Sequence, residues 1–150
     1  RAQFLGLSLR HGFNELMRGV YEGLAFASRD CYSAMGAIPA EIRVTGGAAR
    51  SRALRTILGA VLERPVRTMK REEAGAAGAA MIAAVGTGIY PDMDSCVAEW
   101  VTPLLDDPLP VDTALARRYE PLFPVYVEAR RQTKPVWRAL QSIRSSVEHG

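Results

Sequence analysis

Between residues 41 and 86 the hydrophobic pattern switches repeatedly between the period of a strand and that of a helix, which limits the available folds more than any other feature. Glu41-Ile42-Arg43-Val44-Thr45 alternates and is rich in β-branched residues, so it predicts a strand, closed by Gly46-Gly47. Leu54, Ile57, Leu58 and Val61 then fall at i, i+3, i+4 and i+7, one face of a helix over 51–62 with Ser51 placed to cap it. Pro65 to Met69 reads as a second strand and 73–86 as another helix, with Glu72 and Glu73 where a helix N-terminus favours negative charge. Strand, helix, strand, helix in this order makes the strands parallel, because a helical crossover carries the chain back to the end where the first strand began. The fold class is α/β, a sheet with flanking helices.

The flanks are less regular. Phe4, Leu5, Leu7 and Leu9 suggest a short extended segment around Gly6, and apolar residues from Phe13 to Met35 recur at helical spacing up to Gly36, with Pro39 beyond. Pro91-Asp92-Met93-Asp94 predicts a turn, with Asp94 capping a short helix over 95–101, and a Pro- and Asp-rich loop follows at 103–112. The tail from Thr113 has helical periodicity interrupted by Pro121, Pro124 and Pro135, so two or three helical pieces are expected. Residues 74–88 hold seven alanines and four glycines. Glycine costs about 1 kcal/mol against alanine inside a helix, so Gly75 and Gly78 imply a packing need. Two partners fit it: the domain's own sheet, or a second lobe that pivots on a smooth face.

Composition removes several functional classes. With 48% hydrophobic and 23% charged residues in 150, the chain builds one domain with its own core, and disorder and collagen-like repeats are excluded. No apolar stretch approaches the roughly 20 residues of a membrane span. Residues 1–71 carry 12 basic and 5 acidic side chains, and residues 72–150 carry 7 and 11. The arginines of the basic half are scattered, with no run and no interleaved aromatic platform, so a solvated face is expected and no nucleic-acid partner. Cys31 and Cys96 lie far apart without a CxxC partner or a signal peptide, which suits reduced thiols in a cytoplasm, and Cys31 is expected to be a small buried hydrophobe. His11 and His149 have no metal-ligand spacing.

The segment richest in chemical meaning is Val44-Thr45-Gly46-Gly47-Ala48-Ala49-Arg50-Ser51. Ligands of open α/β sheets bind beyond the carboxyl ends of the strands, where glycines bare the backbone and a following helix presents free N–H groups. By itself Gly-Gly after a strand is most often a tight turn, and neither GxGxxG nor GxxxxGK[ST] occurs, which disfavours a Rossmann site or a P-loop. Three motifs nevertheless stand in a recognisable order: Phe4-Leu5-Gly6-Leu7 with Glu15-Leu16 and Val20-Tyr21-Glu22-Gly23, then Val44 to Ala48, then Glu73 to Ala80. In order and spacing they resemble the C-terminal domain of the FGGY family of carbohydrate kinases, from the first residue to about Tyr90. Gly19 and Ala48 are minor departures, where the family more often has Ala or Ser, and a third Gly.

The resemblance implies a lobe of the actin-like, ribonuclease H-like ATPase fold, with ATP and Mg²⁺ as cofactors. It implies that Thr45-Gly46-Gly47-Ala48 is the adenosine motif, with Gly47 and Ala48 lying along the adenine and ribose, that Ser51 stands where some relatives place an adenine-contacting Asn, and that the Ala/Gly helix packs across an interdomain hinge. It also implies that a general base and phosphate loops belong to a preceding part of the chain. None of Asp30, Asp92, Asp94, Asp106, Asp107 or Asp112 has a matching context, so no catalytic residue is assigned. Arg1 in place of Met adds the expectation that the sequence is a piece of a longer protein, and the resemblance implies that it is the C-terminal lobe of two, inactive alone. His11-Gly12-Phe13 and Arg29-Asp30-Cys31-Tyr32 lean toward members acting on erythritol-like polyols or on xylulose, phosphorylated at a primary hydroxyl, and a homodimer fits the resemblance. The alternative is a non-catalytic nucleotide-binding or oligomerisation module of the same fold.

Overall fold

The computed structural model describes residues 3–70 and 73–148, and Glu72, expected at a helix start, lies outside them. Helix α1 spans Phe13–Met35 and ends on Gly36, whose φ of 89° is a left-handed conformation that glycine adopts without a Cβ clash. Strand β1 (Ile42–Val44) leads through a 3₁₀ turn at Gly47–Arg50 into helix α2 (Arg52–Leu62), and strand β2 (Val66–Thr68) follows. The two strands pair in parallel with Ile42 opposite Val66 and Val44 opposite Thr68, as the strand–helix–strand order requires. Helix α3 covers Ala74–Gly86, α4 Met93–Trp100, α5 Thr113–Tyr119 and α6 Leu122–Glu148. Among the described residues no helix is long and apolar enough to cross a membrane.

Burial of α2 organises this arrangement. Ile57, Ala60 and Val61 enter a core with Ala25 and Phe26 of α1 and Ala116 and Tyr119 of α5, while Leu62 turns to Ile42 and Val66 of the sheet. The Phe26 ring meets Tyr119 edge-on at 5.6 Å and stacks with Tyr126 at 5.5 Å, both favourable aromatic geometries. Gly59 permits the close approach of α2 to β2: a Cβ there would lie 3.2 Å from the Arg64 carbonyl oxygen and 3.3 Å from Val66 Cγ2. At the edge of this core the Tyr119 hydroxyl donates to Glu22 Oε1 at 2.8 Å and accepts from Arg18 at 3.1 Å. Burial, then the Glu22 carboxylate, pushes the Tyr119 phenol up to about 12.

Several expectations are corrected. Residues 3–9 form no strand, and Phe4, Leu5, Leu7 and Leu9 are exposed, because no partner strand among the described residues satisfies an extended backbone there. Cys31 is exposed and Cys96 is the buried thiol, so Cys31 lies away from the part of α1 that carries Ala25 and Phe26 into the core. Helix α4 is capped by Asp92, not Asp94: the Asp92 carboxylate accepts from the Ser95 N–H at 2.7 Å, so the helix starts two residues early. The tail is two helices. Its break falls at Pro121, Pro124 sits in the first turn of α6, where the missing N–H has no intrahelical acceptor, and Pro135 lies inside α6 without ending it.

The 103–112 segment is more than a loop. Leu105 and Leu109 form antiparallel bridges with Met69 and Val66, so β2 is paired on both sides and the sheet is mixed. Val66 and Leu109 exchange N–H···O bonds of 3.1 and 2.8 Å, and the Asp106 N–H donates to the Thr68 carbonyl at 2.9 Å. The Thr68 hydroxyl completes a clamp by donating to Asp106 Oδ2 at 2.7 Å. That bond, followed by the charge of Lys70, holds the Asp106 carboxyl below its usual range.

Phe26→Ala is expected to lower the unfolding free energy by about 3–5 kcal/mol, as measured by denaturant titration, because three aromatic contacts and a buried volume are lost together. Thr68→Val tests the clamp. A folded-state pKa below the unfolded value means that the stabilisation is present above about pH 4 and disappears as pH falls through the depressed folded pKa. Thr68→Val is therefore expected to be less stable than the parent at neutral pH, with the gap closing in acid. A gap independent of pH between 7 and 2.5, roughly the range that brackets carboxylate titration, would assign the cost to packing alone.

Candidate functional site

Gly46 and Gly47 lie at the carboxyl end of β1, where the resemblance placed a ligand. Gly46 has a φ of 75°, which allows the chain to leave the strand sharply, and Gly47 opens the 3₁₀ turn. No atom outside the adjoining residues lies within 4 Å of the position a Cβ on Gly47 would take. The bare backbone therefore faces open space that the domain itself does not use. Ala48 belongs to the same turn. Ser51 is otherwise engaged: its hydroxyl oxygen accepts from the Leu54 N–H at 3.2 Å and caps α2.

The turn borders a cavity of about 450 Å³ that opens between the ends of β1 and β2. Gly46, Gly47, Ala49 and Arg50 form one wall, Thr68, Met69 and Lys70 the end of β2, and Arg55, Glu73 and Asp106 the remainder. Of the four residues expected to bind ligand, Gly46 and Gly47 line the cavity, whereas Ser51 caps the helix that carries Arg55 and is not among the lining residues. The residues missed from sequence are Arg55, which shares a face of α2 with Ser51 at i+4, and Lys70 and Asp106, which β2 and its antiparallel neighbour bring together. The spacing from Ser51 was the available signal for Arg55; Asp106 had none, since only the bridge at Met69 and Leu105 brings it there.

The cavity is polar and electrically mixed. Lys70 Nζ lies 3.6 Å from Asp106 Oδ1 while Thr68 occupies Oδ2, so the carboxylate has partners on both oxygens. The Arg55 Nε is buried and has no hydrogen-bond partner among the described residues. Among those residues no group of three or more His, Cys, Asp or Glu side chains is arranged to hold a metal ion. The Ala/Gly helix α3 adds a second unused surface: added Cβ atoms at Gly75 and Gly78 would meet nothing within 4 Å, so close packing inside the domain does not account for these glycines. Ile82 on the same helix is 66% exposed.

Comparison with known proteins agrees with the sequence resemblance. Over 142 residues the chain is 60% identical to erythritol kinase from Brucella abortus (strain 2308), covering 95% of this chain and 27% of that protein. The crystal structure of ligand-bound xylulose kinase from Lactobacillus acidophilus superposes with a TM-score of 0.74 at 28% identity, over 87% of this chain and 27% of the other. Xylulose kinase from Rhodospirillum rubrum gives a TM-score of 0.72 at 29% identity, over 91% of this chain and 28% of the other. The chain thus spans little more than a quarter of the length of each of these relatives and has their actin-like ATPase fold in its mixed sheet and flanking helices. Residues 1–87 match the family model for the C-terminal domain of the FGGY carbohydrate kinases, and the chain belongs to that family.

Proposed function

We propose that this chain is the nucleotide-binding lobe of a two-lobe, ATP-dependent carbohydrate kinase. The whole enzyme transfers the γ-phosphoryl group of ATP to a primary hydroxyl of a sugar or polyol, with erythritol as the first candidate acceptor. One observation carries the reading: the uncovered backbone of Gly46-Gly47 at the mouth of a polar cavity beyond the carboxyl end of β1. A flat base and its ribose can lie against such a backbone as they cannot against branched side chains. The 60% identity to a protein named erythritol kinase supports the acceptor.

In this reading Gly46, Gly47 and Ala48 border the adenosine, and Ser51 supports them by fixing the start of α2. Mg²⁺ enters with the nucleotide phosphates, and its protein ligands, the general base and the phosphate loops belong to the other lobe. Phosphoryl transfer depends mainly on positioning and on stabilising charge, and it requires exclusion of water, which would otherwise accept the phosphoryl group. The smooth surface of α3 supports a lobe that closes over the site, because small residues let another backbone approach and slide.

Two substitutions separate binding from closure in the two-lobe enzyme. Gly47→Val meets no clash in this domain, so the fold is expected to persist while ADP affinity falls roughly tenfold or more, about 1.4 kcal/mol, in calorimetry. Unchanged affinity in a folded variant would falsify the site. Gly78→Leu also points into open space and gains helix propensity of roughly 0.8 kcal/mol. Turnover is expected to fall while ADP affinity and melting temperature hold, and unchanged turnover would remove α3 from the closing interface.

A further inference from the structure

Among the described residues that line the cavity, Arg55 carries a buried nitrogen without a hydrogen-bond acceptor. Arg55 projects from α2 one turn beyond Ser51, and its Nε is shielded from water with no acceptor among the described residues. Arg67, the other arginine with a buried Nε lacking a well-directed hydrogen bond, differs: its Nε lies 2.9 Å from Glu41 Oε2. Among the described residues no carboxylate forms an ion pair of this kind with Arg55. The Arg55 charge helps to hold the Asp106 carboxyl low, but both Asp106 oxygens are engaged elsewhere, one by Thr68 and one by Lys70. A buried donor without an acceptor costs free energy that a ligand atom can recover.

We infer that Arg55 is a nucleotide-contacting residue, donating from its guanidinium to an acceptor on the base or ribose of an adenosine seated between the Gly46-Gly47 turn and Asp106. This rests on the nucleotide reading of the cavity and adds to it the group that orients the nucleoside. The wall is electrically mixed, with Arg50, Arg55 and Lys70 against Asp106 and Glu73, so where a ligand group sits along it decides which charge it meets. A phosphate placed here would face the carboxylates of Asp106 and Glu73, whereas a base or ribose brings acceptor atoms and no net charge to that wall. Arg55 is a fork of donors on a rigid element, α2 being buried along its other face, so it holds the nucleoside in one orientation.

The test uses the two-lobe enzyme and four measurements on each variant: dissociation constants for ADP, adenosine and the polyol, and the melting temperature. Arg55→Met, which keeps the apolar stem, is expected to weaken ADP and adenosine by the same factor, roughly tenfold, the size of one hydrogen bond from a charged donor. Polyol affinity and melting temperature are expected to hold, which a purely structural role would not allow. Arg55→Lys keeps charge and reach but loses the fork, and it is expected to lose a smaller factor for both ligands. It carries the comparison if Arg55→Met does not fold, and unchanged affinity for both ligands then overturns the assignment. A loss confined to ADP overturns it in favour of a phosphate contact. Unchanged ADP affinity in Arg55→Met beside weakened binding in Gly47→Val rejects Arg55 and leaves the site. Unchanged affinity in both variants rejects the site and Arg55 with it.

Discussion

Helix α2 is buried on two sides at once, against the aromatic core of α1 and α5 and against the two parallel strands, and the position of the cavity wall that carries the glycine turn and Arg55 follows from that burial. Leu54, Ile57, Ala60, Val61 and Leu62 supply the apolar area, and Gly59 removes the Cβ that would otherwise hold the helix away from Arg64 and Val66. A helix fixed in this way has no freedom to shift its N-terminus. The Gly46–Ser51 turn therefore enters α2 at a set angle, and Arg55 is carried to the cavity wall. Packing at one end of the helix thus becomes positional accuracy at the other.

The opposite wall depends on hydrogen bonds. Strand β2 has only three residues, too short to hold a cavity wall through one neighbour, and its pairing on both sides compensates. The Thr68–Asp106 clamp ties the last residue of β2 to the returning segment through backbone and side chain together. Asp106 is thereby kept ionised beside Lys70 and near Arg55, so the cavity presents opposed charges at fixed places. The same wall therefore offers hydrogen-bond donors and acceptors side by side, with Arg50, Arg55 and Lys70 facing Glu73 and Asp106.

The surfaces the domain leaves bare belong to the same logic. Helix α3 is apolar and built from small residues, yet its glycines face open space and Ile82 is largely exposed. Phe13, Leu24 and Met35 of α1 and the leucines of residues 5–9 are exposed too. Surfaces of this kind are left free for another surface to meet, since tight internal packing would have covered them.

Features set by local pattern were legible from sequence: the parallel strand–helix–strand unit, the stop at Gly36, the Ser51 cap and the glycine turn that lines the cavity. Each depends on the period of the apolar residues or on a side chain reaching its own backbone, interactions confined to a few neighbouring positions. The misjudged features depend on distant partners. Phe4 to Leu9 resembles a strand but finds no strand to pair with among the described residues, Cys31 lies exposed on α1, and a loop-like segment becomes the third line of the sheet because Val66 and Met69 offer free backbone groups. Asp106 has the same cause: 38 positions separate it from Thr68, and its neighbours in the chain carry no sign of that bond. By itself the sequence determined the fold class, the order of its elements and the glycine turn that leaves bare backbone at the carboxyl end of β1. Tertiary structure alone decided which charges surround that place, because side chains remote in the chain become neighbours only after α2 and β2 have packed.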